Sequence, residues 1–428
     1  MANAQPLVSD LAEHIIGSEI IKLAAEVNAL IARGEPIHNL TIGDFNPNVF
    51  PIPDALTEAI AGAYRNHETN YPPADGMLVL RNAVSALLQA RQGISYDASE
   101  IVISGGARPL IYAIYQTLVN EGEAVLFPVP SWNNNHYTYL THARQQMVET
   151  APENKFMPTA GELAPHIGSA ALIALCSPLN PTGTTFRKDD LDAICNLVLA
   201  ENEQRAADGR KPLYVLYDQI YWELTYGDIR HYDPVSLNPA MRPFTVFVDG
   251  ISKSLAATGV RVGWAMGPKH IIDKMKSILS HIGAWAPKAE QSATGAYLAN
   301  LDEYGGFITH RRNEIEERLR GFHAGIQSLK AEGHHVDSIV PEAAMYLTVK
   351  FALHGATTAD GPTLATTADV TAYLLHEAKV ALVPFFAFGS TQDSPWYRLS
   401  VGTCKTEHVE AIIANLRAAL QKLTHPAT

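Results

Sequence analysis

At roughly 150 residues per domain, 428 residues allow two or three domains. A composition of 47% hydrophobic residues with 17 Tyr and 13 Phe supports a large packed core and excludes a disordered or fibrous chain. Lys and Arg number 32 against 44 Asp and Glu, and a net charge of −12 argues against a general polyanion-binding surface, which needs clustered cations.

The segment Met1 to Asp10 lacks a basic stretch leading into an apolar one, and no later run holds about 18 uninterrupted apolar residues. Neither secretion nor membrane spanning is expected. Gly17 to Arg33 has helical periodicity and is followed by the Pro-rich stretch Phe45 to Pro53, which cannot continue it. Apolar runs bounded by turn residues then recur at Ile101–Ile103, Ala124–Phe127, Ala171–Leu175, Leu213–Leu216, Thr245–Val248 and Val262–Met266. These predict buried strands, and the amphipathic stretches Arg108–Val119 and Lys188–Ala207 between them suit crossover helices over a mostly parallel sheet. An α/β domain with its central sheet flanked by helices follows. Beyond it, a helix from about Tyr304 to Lys330 leads into a strand at Met345–Phe351, a turn-rich loop at Ala356–Ala368 and a helix near Val370–Ala378, a second, smaller α+β unit. The expected division is 1–48 as an arm and part of the small domain, 49–303 as the large domain and 304–428 as the rest of the small one.

In an open parallel sheet, ligands bind beyond the carboxyl ends of the strands. After Ile103 comes Ser104-Gly-Gly-Ala-Arg-Pro109 and a helix, a place for an anion at a helix N-terminus or simply a tight strand-to-helix turn. After Leu175, the prolines of Cys176-Ser-Pro-Leu-Asn-Pro-Thr-Gly183 present Asn180 from a stiff turn, where its amide could donate to a ligand oxygen. After Leu216 comes Asp218 inside an apolar run, a carboxylate that needs a partner and is read equally as a structural ion-pair member or cap. After Val248 comes Asp249-Gly-Ile-Ser-Lys-Ser254, with Arg261 eight residues beyond Lys253. An amine, a carboxylate, an amide and an anion-binding turn at one sheet edge ask for a ligand with a phosphate, an amine-reactive group and a basic nitrogen. Pyridoxal 5′-phosphate has all three: Lys253 can hold its aldehyde as a Schiff base and Asp218 can keep its pyridine nitrogen protonated. Its phosphate would sit at the Ser104–Arg108 turn with Arg261.

Read in order from Thr41 to Ser400, these residues resemble the class I/II, fold-type I aminotransferases, with an aspartate-aminotransferase-like character. Thr41-Ile-Gly-Asp-Phe-Asn-Pro47 resembles the family's substrate loop, which nominates Gly43. Asn70-Tyr-Pro-Pro-Ala-Asp-Gly76 resembles the element whose tyrosine reaches the phosphate of the neighbouring subunit, so the resemblance implies a homodimer with Tyr71 contributed across the interface. It further implies that Gly106, Ala107 and Arg108 form the phosphate turn with Ser252 and Arg261, and that Trp132 stacks on the cofactor ring. By the same resemblance Asn180, Asp218 and Tyr221 contact that ring, Lys253 carries the cofactor and Arg398 in Trp396-Tyr-Arg-Leu-Ser400 grips the substrate α-carboxylate. Three positions depart from the usual pattern: Gln219 for a common Glu, Gly250 for a phosphate-binding Ser and Phe385 for a frequent Gly.

The implied reaction is ping-pong transamination between an amino acid, aspartate first, and a 2-oxo acid, with Lys253 moving the proton, Asp218 supporting the carbanion and Tyr221 assisting. A lyase or decarboxylase would use the same residues. A cofactor-sensing regulator is disfavoured, because the 40 residues before Thr41 carry no basic helix-turn-helix pattern. No metal site is expected: the 17 histidines include no HExxH. The three cysteines, Cys176, Cys195 and Cys404, have no CxxC spacing, which excludes a disulfide framework and suits a reducing cytoplasm. Cys176 reads as a small buried hydrophobe. Asn133-Asn-Asn-His136 reads equally as substrate lining or as a polar helix start. A dicarboxylate substrate would need a second cation, for which Arg108, Lys288 and His136 are the candidates.

Overall fold

A computed structural model describes residues 8–15, 19–358 and 361–424. The opening Met1–Leu7, the Gly17 start of the first expected helix, Asp360 in the turn-rich loop and the last four residues lie outside the described residues.

The six expected strands and one more form a seven-stranded sheet: β1 (Ile101–Ser104), β2 (Ala124–Val129), β3 (Arg144–Glu149), β4 (Ala170–Cys176), β5 (Tyr214–Asp218), β6 (Thr245–Gly250) and β7 (Gly263–Met266), in the order β1-β7-β6-β5-β4-β2-β3. All neighbours pair in parallel except β7, which runs antiparallel to both β6 and β1. Its side chains alternate. Val102, Leu172, Leu216, Val246 and Ala265 face helices Ala107–Leu118 and Lys269–His281, whereas Ile103, Ile173, Val215, Phe247 and Trp264 face helices Leu78–Arg91 and Lys188–Ala207. Both faces are therefore covered, as a largely parallel sheet requires. β3 was not expected from the sequence. It is an edge strand, Arg-Gln-Gln-Met-Val-Glu, mostly exposed, so it carries no apolar run, and its charged side chains suit an edge.

A second core gathers around a four-stranded sheet of β8 (Val336–Ser338), β9 (Tyr346–Phe351), β10 (Val383–Pro384) and β11 (Trp396–Ser400), ordered β10-β11-β9-β8. Both chain ends contribute to this part: His38–Asn39 pairs with Val380–Ala381, and Leu40, Phe45 and Phe50 share the core of Leu347, Tyr397 and Leu416. Helix Leu301–Ala331 joins the two parts, burying Tyr304 and Ile308 in the first core and Ile315, Leu319 and Phe322 in the second. The loop expected at Ala356–Ala368 holds a two-residue strand, Thr357–Thr358, and then gives way to helix Thr367–Glu377.

Candidate active site

The sheet topology brings the candidate residues to one edge. β4, β5 and β6 end together there, with Cys176 beside Asp218, and β1 ends at Ser104 opposite Gly263. Because β7 starts at this edge and runs back, the residues just before it, Arg261 among them, also reach it. A cavity of about 520 Å³ opens here, within the range of small-molecule sites.

One wall carries the amine and the carboxylate. Asp218, the last residue of β5, is recessed in the cavity with only the Ile220 N–H donating to its Oδ1, at 3.1 Å. Burial raises its pKa to about 6, against the opposing pull of that N–H and of the Lys253 charge. Lys253 lies in the single helical turn Ile251–Ser254 after β6; its Nζ donates to the Gly43 carbonyl at 2.6 Å and lies 5.9 Å from the Tyr221 ring centre. Burial lowers its pKa to about 8, opposed by Asp44 and aided by Arg398, Arg108 and Arg261. About a tenth of the amine is thus unprotonated at pH 7, far more than at the ordinary lysine pKa, and only that form is nucleophilic.

Between these groups and the sheet edge lies an anion cradle. Helix Ala107–Leu118 points its N-terminus, with its unpaired N–H groups and partial positive charge, at the cavity, which Ala107, Arg108, Ser252 and Arg261 line. Gly106 stands just behind with φ +92°, and a Cβ there would collide with the Arg261 guanidinium. That guanidinium donates to the Gly105 carbonyl at 2.7 Å and the Thr258 carbonyl at 2.6 Å, so it is fixed against the turn. The Ser104 hydroxyl instead donates to the Ala284 carbonyl and so turns away from the turn's concave side. At Gly250 a Cβ would approach the Val262 carbonyl and the Gly263 Cα to 2.8 Å, so no serine fits where the family pattern often has one.

The opposite wall is built from distant parts of the chain. Arg398 on β11 is buried; it donates through Nη1 to Asn180 Oδ1 at 2.9 Å and through Nη2 to the Thr41 carbonyl at 2.5 Å, while its buried Nε has no partner. Its guanidinium carbon lies 4.7 Å from the Tyr346 ring centre and 4.9 Å from that of Phe388. Phe385 packs edge-on to Phe156 and Phe388 in this aromatic floor, which accounts for its size. With its oxygen taken by Arg398, Asn180 keeps its amide N–H groups for a ligand. Arg108 lies 4.7 Å from the Trp132 ring centre, and both line the cavity.

Of the three candidates for a second cation, Arg108 lines the cavity, Lys288 bonds Asn70 at the surface and His136 stands outside the lining. Tyr71 also lies outside it: its side chain is 80% exposed and packs edge-on to Trp285. Gln219 is fully buried behind the site and donates to Gln92. Cys176, read from the sequence as a small buried hydrophobe, is only partly buried and lines the cavity; it donates to the Pro178 carbonyl, and loss of solvent pushes its thiol pKa well up. Three polar lining residues, Asp44, Thr258 and Tyr346, were not among the candidates from the sequence. Asp44, next to Gly43 in the Thr41–Pro47 loop, accepts from the Thr258 hydroxyl and the Phe45 N–H.

Residues 35–416 match the family model described as aminotransferase class I and II. The chain belongs to this family. It is an aminotransferase with the family's fold-type I architecture. Aspartate aminotransferases from Rhizobium meliloti (strain 1021) and Geobacillus stearothermophilus are each 28% identical to it, over 95% and 90% of this chain and 94% and 92% of theirs. A bifunctional aspartate and glutamate/aspartate-prephenate aminotransferase from Petunia hybrida is 29% identical, over 95% of this chain and 80% of its own length. The crystal structure of a Rhizobium meliloti aspartate aminotransferase superimposes with a TM-score of 0.88 at 27% identity, covering 98% of this chain and all of that one. Among the described residues, no helix of this aminotransferase is long and apolar enough to cross a membrane.

Proposed function

We propose that this aminotransferase uses pyridoxal 5′-phosphate, held by Lys253, to move an amino group between a dicarboxylic amino acid, aspartate first, and a 2-oxo acid. The observation that carries this reading is the presence, in one cavity, of a recessed lysine amine and a carboxylate that makes no close ion pair among the described residues, beside a helix N-terminus closed by Arg261. The residues fit that cofactor: the cradle of the backbone N–H groups of Ala107 and Arg108 with Ser252 and Arg261 matches a phosphate and leaves the Arg108 side chain free, Asp218 matches a ring nitrogen that becomes cationic, and Trp132, Asn180 and Tyr221 border the space for the ring. When bound, the cofactor supplies the electron sink that makes a substrate Cα–H acidic.

Lys253 then holds and moves a proton at its Nζ, a role its depressed basicity serves. Asp218 stays anionic when a ring cation faces it, because that charge offsets the burial that otherwise raises its pKa. Arg398 orients the α-carboxylate with its planar fork, and Asn180 fixes that fork. Gly43 leaves the entrance open: a Cβ there would lie 2.8 Å from the Tyr346 hydroxyl and 3.5 Å from an Arg398 nitrogen. Arg108 supplies the second cation for a distal carboxylate. The names of the relatives support aspartate as the donor.

The assembly we infer is a homodimer in which Tyr71 completes the partner's phosphate site. Its exposure, with Tyr64, Leu78, Val79 and Ile282 also exposed, supports an apolar face covered by a second copy. Residues 49–303 would form the cofactor domain, and 1–48 with 304–428 the smaller one. The three unpaired cysteines favour a reducing cytoplasm. Single-turnover absorbance of the loaded protein against a panel of amino acids tests the function. Loss of the visible band with aspartate and release of oxaloacetate without ammonia supports it; release of ammonia, or of an amine that has lost a carboxylate, sinks it in favour of a lyase or decarboxylase.

A further inference from the structure

The hydroxyl oxygens of Tyr221 and Tyr346 lie 2.6 Å apart, both buried, with ring centres 5.5 Å apart at 68°. The same Tyr346 ring lies under the Arg398 guanidinium, and its hydroxyl fills the space that a Cβ at Gly43 would take. Gly43 in turn gives its carbonyl to Lys253. One phenol therefore touches the carboxylate grip, the loop that holds the catalytic amine and the tyrosine on the cofactor side. The pair holds two hydroxyl protons, and only one can lie between the two oxygens. The other must point to a third acceptor. A hydroxyl that accepts one hydrogen bond becomes a better donor in its next, because bonds in a chain polarise each other.

We propose that Tyr346 is a positioning residue: it donates to the Tyr221 oxygen, aims the Tyr221 O–H at the ring hydroxyl of a cofactor held on Lys253, and so couples that bond to the Arg398 pocket. This rests on the pyridoxal phosphate reading above. The charged and titratable groups facing the pair are Arg398, Lys253 across the Tyr221 ring, Asp44 and Cys176. Removing one hydroxyl leaves all four in place, so a change in the pair's behaviour reports the hydroxyl itself.

The readout is the pH midpoint of the visible absorption of the loaded protein, which follows the charge on the cofactor where Tyr221 would donate. A weaker donor disfavours the anionic ring oxygen and raises that midpoint. Tyr346→Phe keeps the ring on Arg398 and should raise the midpoint by about 0.3 to 1 pH unit, the scale of one modest hydrogen bond. Tyr221→Phe should raise it more, and adding Tyr346→Phe to Tyr221→Phe should move it no further. Gly43→Ala, which displaces the hydroxyl without removing it, should shift the midpoint in the same direction and gives an independent test if the phenylalanine variant folds poorly. An unmoved or lowered midpoint in Tyr346→Phe, or in Gly43→Ala where the phenylalanine variant does not fold, overturns the coupling, as does an equal shift of Tyr346→Phe with and without the Tyr221 hydroxyl. A wild-type protein that forms no visible band with pyridoxal phosphate overturns the cofactor reading itself.

Discussion

The two walls of the cavity are built on different plans. The wall with Asp218, Lys253 and Arg261 is made of strand ends and the turns after them, all within one sheet, and backbone pairing fixes its geometry before any side chain is chosen. The wall with Arg398 joins Thr41, Asn180, Tyr346 and Arg398, and side-chain hydrogen bonds between the two cores hold it together. The first wall suits chemistry that must stay in register. The second suits recognition, because it closes only when two packed units meet.

The sharpest way to break this comparison is at the first wall. If Lys253 is the attachment point and proton carrier, as proposed, Lys253→Ala should lower turnover by about 10³-fold or more. Steady-state turnover with aspartate checks this, and persistent activity would falsify the assignment. Asp218→Asn should cost roughly 10²- to 10³-fold in kcat, the scale of removing one member of a buried charge pair. The loss should fall on kcat more than on KM, because the proposed role of Asp218 is toward the cofactor ring and not the substrate carboxylates.

At the second wall the balance should invert. Arg398→Gln should reduce kcat/KM by roughly 10- to 100-fold, chiefly through KM, as expected for a lost charge-assisted hydrogen bond. Arg108→Gln should raise KM for dicarboxylic substrates and leave monocarboxylic amino acids within about twofold; an equal effect on both classes would assign Arg108 to the phosphate instead. The smallest effect is one of pH. With the Lys253 pKa lowered to about 8 from 10.5, capture of pyridoxal phosphate by cofactor-free protein should quicken through a midpoint near 8. Stopped-flow absorbance against pH reads it, and a midpoint near 10.5 would show the amine to be solvated.

The contrast between the walls also explains what the sequence made legible. Strand-end residues announce themselves, because an apolar run followed at once by Asp218 or by Ser252-Lys253-Ser254 is a local pattern. The helix over Lys188–Ala207 was readable from Leu191, Ile194, Cys195 and Val198 at helical spacing, although its last turns bury the polar Asn202 and Arg205. Tyr346 was not readable as a site residue: on an apolar strand of the second core it looks like any core tyrosine, and only the meeting of β9 with the Tyr221 turn gives its hydroxyl a partner. Asp44 was hidden for the same reason, since its proximity to Lys253 depends on the packing of two segments far apart in the chain. The edge strand β3 escaped because its exposed polar residues carry no apolar run. The Gly250 departure, which looked like a missing phosphate ligand, is a close approach of β6 to β7 that no side chain fits.

The central claim is that this aminotransferase carries its cofactor on Lys253. Reducing the pyridoxal-phosphate-loaded protein with borohydride and mapping the modified peptide tests it directly. The account predicts one stable phosphopyridoxyl group per chain, on Lys253 within Asp249-Gly-Ile-Ser-Lys-Ser254. A label on any other lysine, or none after loading, would contradict it.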